Sequence, residues 1–511
     1  MSSSATGQLD PAILLPMELL QQILSHLPYE RATVQFRRKS TPRSFKPQLA
    51  FAHVCRAWRA AALTSEYWPG VRLSLKSGKR LKEGLDHDSG NALLYVHIDM
   101  EHRYPDVTLN KRKERAPLLA LGQLPRIRTL FLKADPEDDE MDANEDAGVY
   151  AWALGDQPAP ELQDLTFGWL GEEKIELEFI QQPFPRLRYL ALMGCDLTSH
   201  QTILRTDNLV QANFWDVYLF ETIDELVDTF SRWKCLQYVN ISNCCLIGSG
   251  SKVTKYERRA AYLPALKDIR FFDNTTDIGT FLTYIAFPPA VRADICFNAS
   301  SPTPELTRIV GDAVHDHFDS PEGHSLIANA HALVISYPNG YEIQSRPSET
   351  ARYWLSGVIS DGKPEARFLF HQNGAKAPFL EENLARFPAL EMFSRLDLSQ
   401  KDHFHPGPPP AHILRRLSGV TQLVLSQDCQ SVLDDIPEDT KLLPKLESLE
   451  LFTFTLQGKH QIADMEKVLE AARKARPGLT RLVLRGCKLR GETFEGVFGK
   501  GNVQMEEIPK H

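Results

Sequence analysis

One spacing recurs through most of this chain and limits its fold more than anything else in it. An apolar residue is followed three positions later by another, and two positions later by a third. The triplet appears as Ile127-x-x-Leu130-x-Leu132, Leu162-x-x-Leu165-x-Phe167, Leu187-x-x-Leu190-x-Leu192 and, more weakly, Leu209-x-x-Ala212-x-Phe214. It continues as Leu236-x-x-Val239-x-Ile241, Leu266-x-x-Ile269-x-Phe271, Phe393-x-x-Leu396-x-Leu398, Val420-x-x-Leu423-x-Leu425, Leu446-x-x-Leu449-x-Leu451 and Leu479-x-x-Leu482-x-Leu484. A single copy says little, because any half-buried strand alternates. Ten copies in sequence order say much more. Each would supply a short strand with one apolar edge that it cannot bury alone, so neighbours must stack and share a core.

Several centres follow one another at 25 to 27 residues, as from Leu165 to Leu190, Ala212 to Val239 and Leu396 to Leu423. That falls within the 20–29-residue period of leucine-rich repeats. Three copies extend to a corner cysteine and a further leucine: Cys195-x-Leu197, Cys244-x-Leu246 and Cys487-x-Leu489. The leucine-rich consensus accepts Cys at that corner, which gives these three a structural role. In such an array the strands line a concave face, and residues between the apolar positions point out of it. The expected outward set is Tyr189, Met193, Trp215, Tyr238, Phe272 and Phe452, with Asp397, Glu450, Arg481 and Arg485 among them. Tyr189, Trp215, Tyr238, Phe272, Asp397 and Arg485 are the candidates for holding a target protein, since exposed aromatics and arginines dominate binding hot spots.

The amino-terminal end has a different period. Leu15-Pro16-Met17-Glu18 opens a helical pattern, with proline suited to the first turn and an acid beside the positive end of the helix dipole. Leu19, Leu20, Ile23, Leu24 and Leu27 then recur at three- and four-residue steps, and Pro28 ends the run. A helix this short needs a partner, and residues 49–63 offer one through Phe51, Val54, Cys55, Trp58 and Ala62. The order Leu15-Pro16-x-Glu18-Leu19-Leu20-x-x-Ile23-Leu24-x-x-Leu27, Val54-Cys55-Arg56-x-Trp58-Arg59, Trp68 resembles the F-box family in its fungal form. The resemblance covers residues 12 to 75, with a longer, more basic link (Arg37-Arg38-Lys39) than the family usually has.

That resemblance implies docking onto a Skp-type adaptor and, through it, a cullin–RING ubiquitin ligase. Carried over by position, the adaptor-binding residues are Leu15, Pro16, Leu19, Leu20, Ile23, Leu27, Val54, Cys55 and Trp58. The expected fold class is therefore α+β, with a small all-helical F-box followed by an irregular α/β leucine-rich-repeat horseshoe. Its parts are a disordered tail (1–11), the helical module (12–75), a linker or capping segment (76–120), the solenoid (121–490) and a carboxy-terminal tail (491–511). Residues 291–386 are irregular within it, and Ala332–Ile335 and Arg367–Phe370 could be strands of degenerate repeats or of an insertion. The acidic stretch Asp135–Asp146 and the turn-rich His405–Pro410 read as spacers.

Chemistry is sparse. The chain has no H-E-x-x-H, G-x-S-x-G or G-x-G-x-x-G sequence, so no catalytic residue, cofactor or metal is expected. His315, Asp316, His317, Asp319, Glu322 and His324 crowd ten residues but lack zinc-motif spacing and read as a solvated helix end. The formal net charge of -8 provides no overall basic field for nucleic acid or anionic lipid. No apolar run approaches a membrane span, no secretory leader is visible and the cysteines form no C-x-x-C pair, which points to the cytoplasm or nucleus. The function expected is that of a substrate receptor rather than an enzyme. The alternative is a leucine-rich interaction scaffold outside ubiquitination.

Overall fold

The computed structural model describes residues 16, 19, 58, 94–100, 120–134, 157–171, 174–177, 182–197, 202–248, 254–297, 303–330, 332–336, 340–344, 367–372, 377–399, 408–456, 459–488 and 494–506. They form a mixed α/β protein with parallel sheets. The chain divides into two compact units, residues 1–194 and 195–511.

In the first unit β1 (Leu94–Met100), β2 (Ile127–Ala134), β3 (Asp164–Trp169) and β5 (Tyr189–Met193) are parallel neighbours in that order, while β4 (Ile175–Glu176) lies outside this ladder. Their register aligns Val96, Leu130, Leu165 and Leu190 in one column and Ile98, Leu132, Phe167 and Leu192 in the next. All eight are buried, so the repeated spacing here is a shared core written one strand at a time. β1 belongs to this ladder although it falls in the stretch read as linker or cap. Its Leu93-x-x-Val96-x-Ile98 carries the same spacing, one copy more than the ten read from the sequence, and its Val96 and Ile98 are buried.

The second unit begins with β6 (Cys195–Asp196), β7 (Gln211–Trp215), β8 (Tyr218–Phe220), helix α1 (Ile223–Arg232), β9 (Tyr238–Ser242), β10 (Cys245–Ile247), β11 (Ala261–Tyr262), β12 (Asp268–Asp273), α2 (Thr275–Tyr284), β13 (Ile285–Ala286) and β14 (Arg292–Phe297). There follow α3 (Pro304–Phe318), α4 (Pro321–Ala328), β15 (Ala332–Ser336), β16 (Gly340–Gln344), β17 (Arg367–Gln372), α5 (Ala377–Arg386), β18 (Arg395–Leu398) and α6 (Ala411–Arg416). It closes with β19 (Gln422–Ser426), α7 (Ser431–Asp435), β20 (Ser448–Phe452), α8 (Lys459–Ala475), β21 (Arg481–Arg485), α9 (Glu495–Phe498) and β22 (Val503–Glu506).

Two parallel ladders emerge from these elements. The first, β7-β9-β12-β14, aligns Ala212, Val239, Ile269 and Ala293, and beside them Phe214, Ile241, Phe271 and Ile295. The second, β18-β19-β20-β21-β22, aligns Leu396, Leu423, Leu449, Leu482 and Val503. Between them the chain reverses: β15 pairs antiparallel with β16, and β16 antiparallel with β17. β17 lies parallel to β14 and β15 parallel to β18. The segment whose repeats were illegible in the sequence is thus an antiparallel insertion in an otherwise parallel order.

A recurring corner follows the strands. Asp216, Asn243, Thr453 and Gly486 each take a left-handed backbone, with φ of 54°, 51°, 56° and 63°. Each corner N–H donates to the next strand: Asp216 to Ser242 O, Asn243 to Phe272 O, Thr453 to Arg485 O and Gly486 to Glu506 O, at 2.8 to 2.9 Å. Asp, Asn and Gly accept this conformation readily, whereas the β-branched Thr453 is strained by it.

The inward face of the first ladder is covered by helices with a largely aromatic core. Phe271 meets Phe281 of α2 edge-on at 5.2 Å, Phe281 meets Phe230 of α1 at 5.3 Å, and Phe230 meets Trp233 at 4.9 Å. A capping box between Thr222 and Glu225 starts α1, and the Asn274 side chain caps α2. Long side chains staple three of the returning segments to the one before. Trp233 Nε1 donates to Leu204 O at 3.2 Å, and Arg416 donates to the carbonyls of Leu384, Ala385 and Phe387. Arg476 bonds the carbonyls of Asp439, Leu442 and Leu443. Leu384 O, Asp439 O and Leu443 O also accept a backbone amide, whereas the donors to Leu204 O and Leu442 O are side chains.

Candidate functional site

The strands bury their apolar columns, and the residues between those columns leave on the opposite face, where Val424, Glu450 and Val483 are buried as well. On the first ladder the pattern is regular. β12 and β14 alternate half-buried and buried along their whole length, and β9 runs from exposed Tyr238 through buried Val239 and Ile241. Trp215, Ser242, Phe272 and Cys296 share one register row, and Gln211, Tyr238, Asp268 and Arg292 another. Trp215 is 42% exposed and Tyr238 41%, while Phe272 is half-buried. Asp268 lies 3.5 Å from Arg270 Nε and 3.7 Å from Arg292 Nε, so charges of both signs border the aromatics. In the first unit, Tyr189 is half-buried; Met193, expected to face outward, is buried.

The second ladder presents charge instead. Arg395, Glu450, Arg481, Arg485 and Glu506 line a recess of about 110 Å³ with Gln422, Ser448, Leu423, Val424 and Val483. Glu450 is buried at its floor, with Arg485 Nη1 3.1 Å from Oε1 and Arg395 Nη2 3.4 Å from Oε2. Arg485 also grips Glu506 through Nε and Nη2 at 2.9 and 2.7 Å. Burial raises the carboxyl pKa of Glu450; Arg485 and then Arg395 oppose that, and the charges on Asp397 and Glu506 add to it. Asp397 itself accepts bonds from the Ser399 amide and hydroxyl. The structure therefore gathers Asp397 and Arg485 around Glu450. Arg395, Gln422, Ser448 and Glu506 join them; Arg395 could have been found by the outward rule, because it precedes a central leucine just as Arg481 does.

Of the residues matched to the amino-terminal motif, Pro16, Leu19 and Trp58 are among those described. The Leu19 amide donates to Pro16 O at 3.1 Å, as at the opening turn of a helix, and Leu19 is 44% exposed. Trp58 has helical backbone and is half-buried. Leu15, Leu20, Ile23, Leu27, Val54 and Cys55 lie outside the described residues.

Groups with chemical potential elsewhere are muted by burial. The Cys244 thiol is pushed up to about 12, chiefly by desolvation, and Cys296 likewise to about 12, so neither is a ready nucleophile. His317 packs against the rings of Phe287 and Phe318, and burial followed by Arg259 pulls it down to about 3, leaving it neutral. Asp273, buried beside Asp277, is raised to about 7 by desolvation while accepting the Cys244 amide at 2.7 Å. His315 and His324 flank Asp319 at 3.5 and 3.4 Å, on exposed side chains. Among the described residues no group of three or more His, Cys, Asp or Glu is arranged to hold a metal ion, and no helix is long and apolar enough to cross a membrane. No protein-family model matches the chain, and no curated protein matches it.

Proposed function

We propose that this chain is the substrate-recognition subunit of an SCF-type cullin–RING ubiquitin ligase. In this reading an F-box at residues 12–75 holds a Skp-type adaptor, and a leucine-rich solenoid holds the target protein. The target-binding half is carried by one observation: Trp215 and Tyr238 are exposed on a ladder whose opposite face is buried. Large aromatics are usually kept out of water, and amphipathic rings bordered by both signs of charge are typical anchors for a protein partner. The adaptor half is supported by the sequence motif from Leu15-Pro16 to Trp68. Ubiquitin transfer would then be promoted by position, since tethering raises the effective concentration of target lysines near the transfer machinery.

Affinity purification of the intact protein beside a Leu15→Ala/Pro16→Ala variant tests the adaptor half. Adaptor and cullin should accompany the first and be depleted with the second. Recovery of neither, under conditions that recover them with other F-box proteins, would leave the interaction scaffold as the function.

A further inference from the structure

We infer that the recess on the second ladder is a subsite for a neutral carboxamide, the side chain of an Asn or Gln on the bound polypeptide. The inference rests on the reading of this strand face as the target-binding surface, and it names the chemistry of one contact there.

Size comes first. At about 110 Å³ the recess takes a small polar group, well short of the roughly 300–1,000 Å³ of a pocket for a drug-sized ligand. Its walls contribute Arg395, Arg481 and Arg485 against Glu450 and Glu506. Asp397 acts on Glu450 as well, so three cations meet three anions. An incoming carboxylate would lie against Glu450 and Glu506, and an incoming ammonium against Arg395 and Arg485. A neutral occupant meets neither penalty.

Hydrogen bonding narrows the choice. Arg485 is engaged at all three nitrogens: two bond Glu506 and the third lies on Glu450. Arg481 already donates to Gln504. Arg395 is held only by two long bonds, 3.4 Å each, to Gln422 and Glu450, and its buried Nε has no acceptor. Glu450 Oε1 has its ion pair with Arg485 but accepts no hydrogen bond. The network thus lacks one acceptor at Arg395 and one donor at Glu450, on side chains that already face each other. A carboxamide carries both on one carbon, an oxygen that accepts and an NH2 that donates.

The test uses the full chain labelled at Leu and Val methyls, titrated separately with acetamide, acetate and methylammonium. Acetamide should shift the methyls of Val424 and Val483 saturably, and the two ions should shift them far less. Arg395→Lys keeps the charge but removes Nε, and should weaken acetamide binding about fivefold or more. Three results would overturn the inference: no saturable acetamide shift, a tighter response to either ion, or unchanged acetamide binding in Arg395→Lys. Adaptor capture through residues 15–68 does not involve this recess, so failure here is distinguishable from failure of the ligase reading.

Discussion

The two ladders of the second unit are built on one plan and dressed differently. Both align apolar residues strand by strand, and both turn through a left-handed corner whose N–H reaches the next strand. Inside, the first is filled by Phe214, Phe230, Trp233, Phe271 and Phe281, and the second mainly by leucines such as Leu396, Leu423, Leu449 and Leu482. Outside, the first shows Trp215 and Tyr238 to solvent, while the second folds its charges around a buried Glu450. Inward positions answer to stacking and so repeat. Outward positions are free of that demand, and there the ladders differ in chemical class and not only in side-chain size.

Truncating the aromatic core is the hardest blow to that scheme. Phe230→Ala should cost about 3–5 kcal/mol in denaturant unfolding, because Phe230 touches both Trp233 and Phe281 and the cavity cannot collapse around rigid rings. A loss near that of an exposed residue would show that the first ladder does not depend on this cluster. Next comes the staple of the second ladder. Arg476→Ala should cost about 2–3 kcal/mol, since it leaves the Leu442 carbonyl without its buried donor and removes the second bonds to Leu443 and Asp439.

Corner chemistry gives smaller effects with opposite signs. Thr453→Gly should stabilise by about 1 kcal/mol, because glycine takes φ of 56° without the strain of a β-branched residue. In the first ladder Asp273 ties the corner after β9 to the next repeat, and its folded-state pKa is raised to about 7. A raised carboxyl binds its proton more tightly when folded, so native stability falls as pH rises from near 4 towards 7. Asp273→Asn removes that dependence; the melting temperature of the variant minus that of the native chain should climb over this window. A flat difference would remove Asp273 from the account. The smallest stability effect belongs to Trp215→Ala/Tyr238→Ala, about 0.5–1 kcal/mol per site, since both side chains are about two-fifths exposed.

Much of the strand framework was legible because stacking imposes a local signature. All ten triplets fall on buried positions, from Ile127, Leu130 and Leu132 through to Leu479, Leu482 and Leu484. β14 escaped notice because Ala293 is a weak marker beside Ile295 and Phe297, and β22 because Val503 and Met505 are alone in a stretch read as tail. The antiparallel insertion has no spacing of its own to read. The outward rule reached Trp215, Tyr238, Asp397 and Arg485, since alternation alone decides which way a side chain leaves a strand. It could not show that Glu450 bridges Arg395 and Arg485, which depends on register across four strands. Nor could it find Arg416 and Arg476, whose partners lie 29 to 37 residues away.

The most direct measurement is quantitative affinity purification of the Trp215→Ala/Tyr238→Ala chain beside the native one. The account predicts that adaptor and cullin are recovered equally with both, while the proteins bound by the strand face are depleted from the variant. Equal recovery of every partner, or loss of adaptor together with the rest, would contradict it.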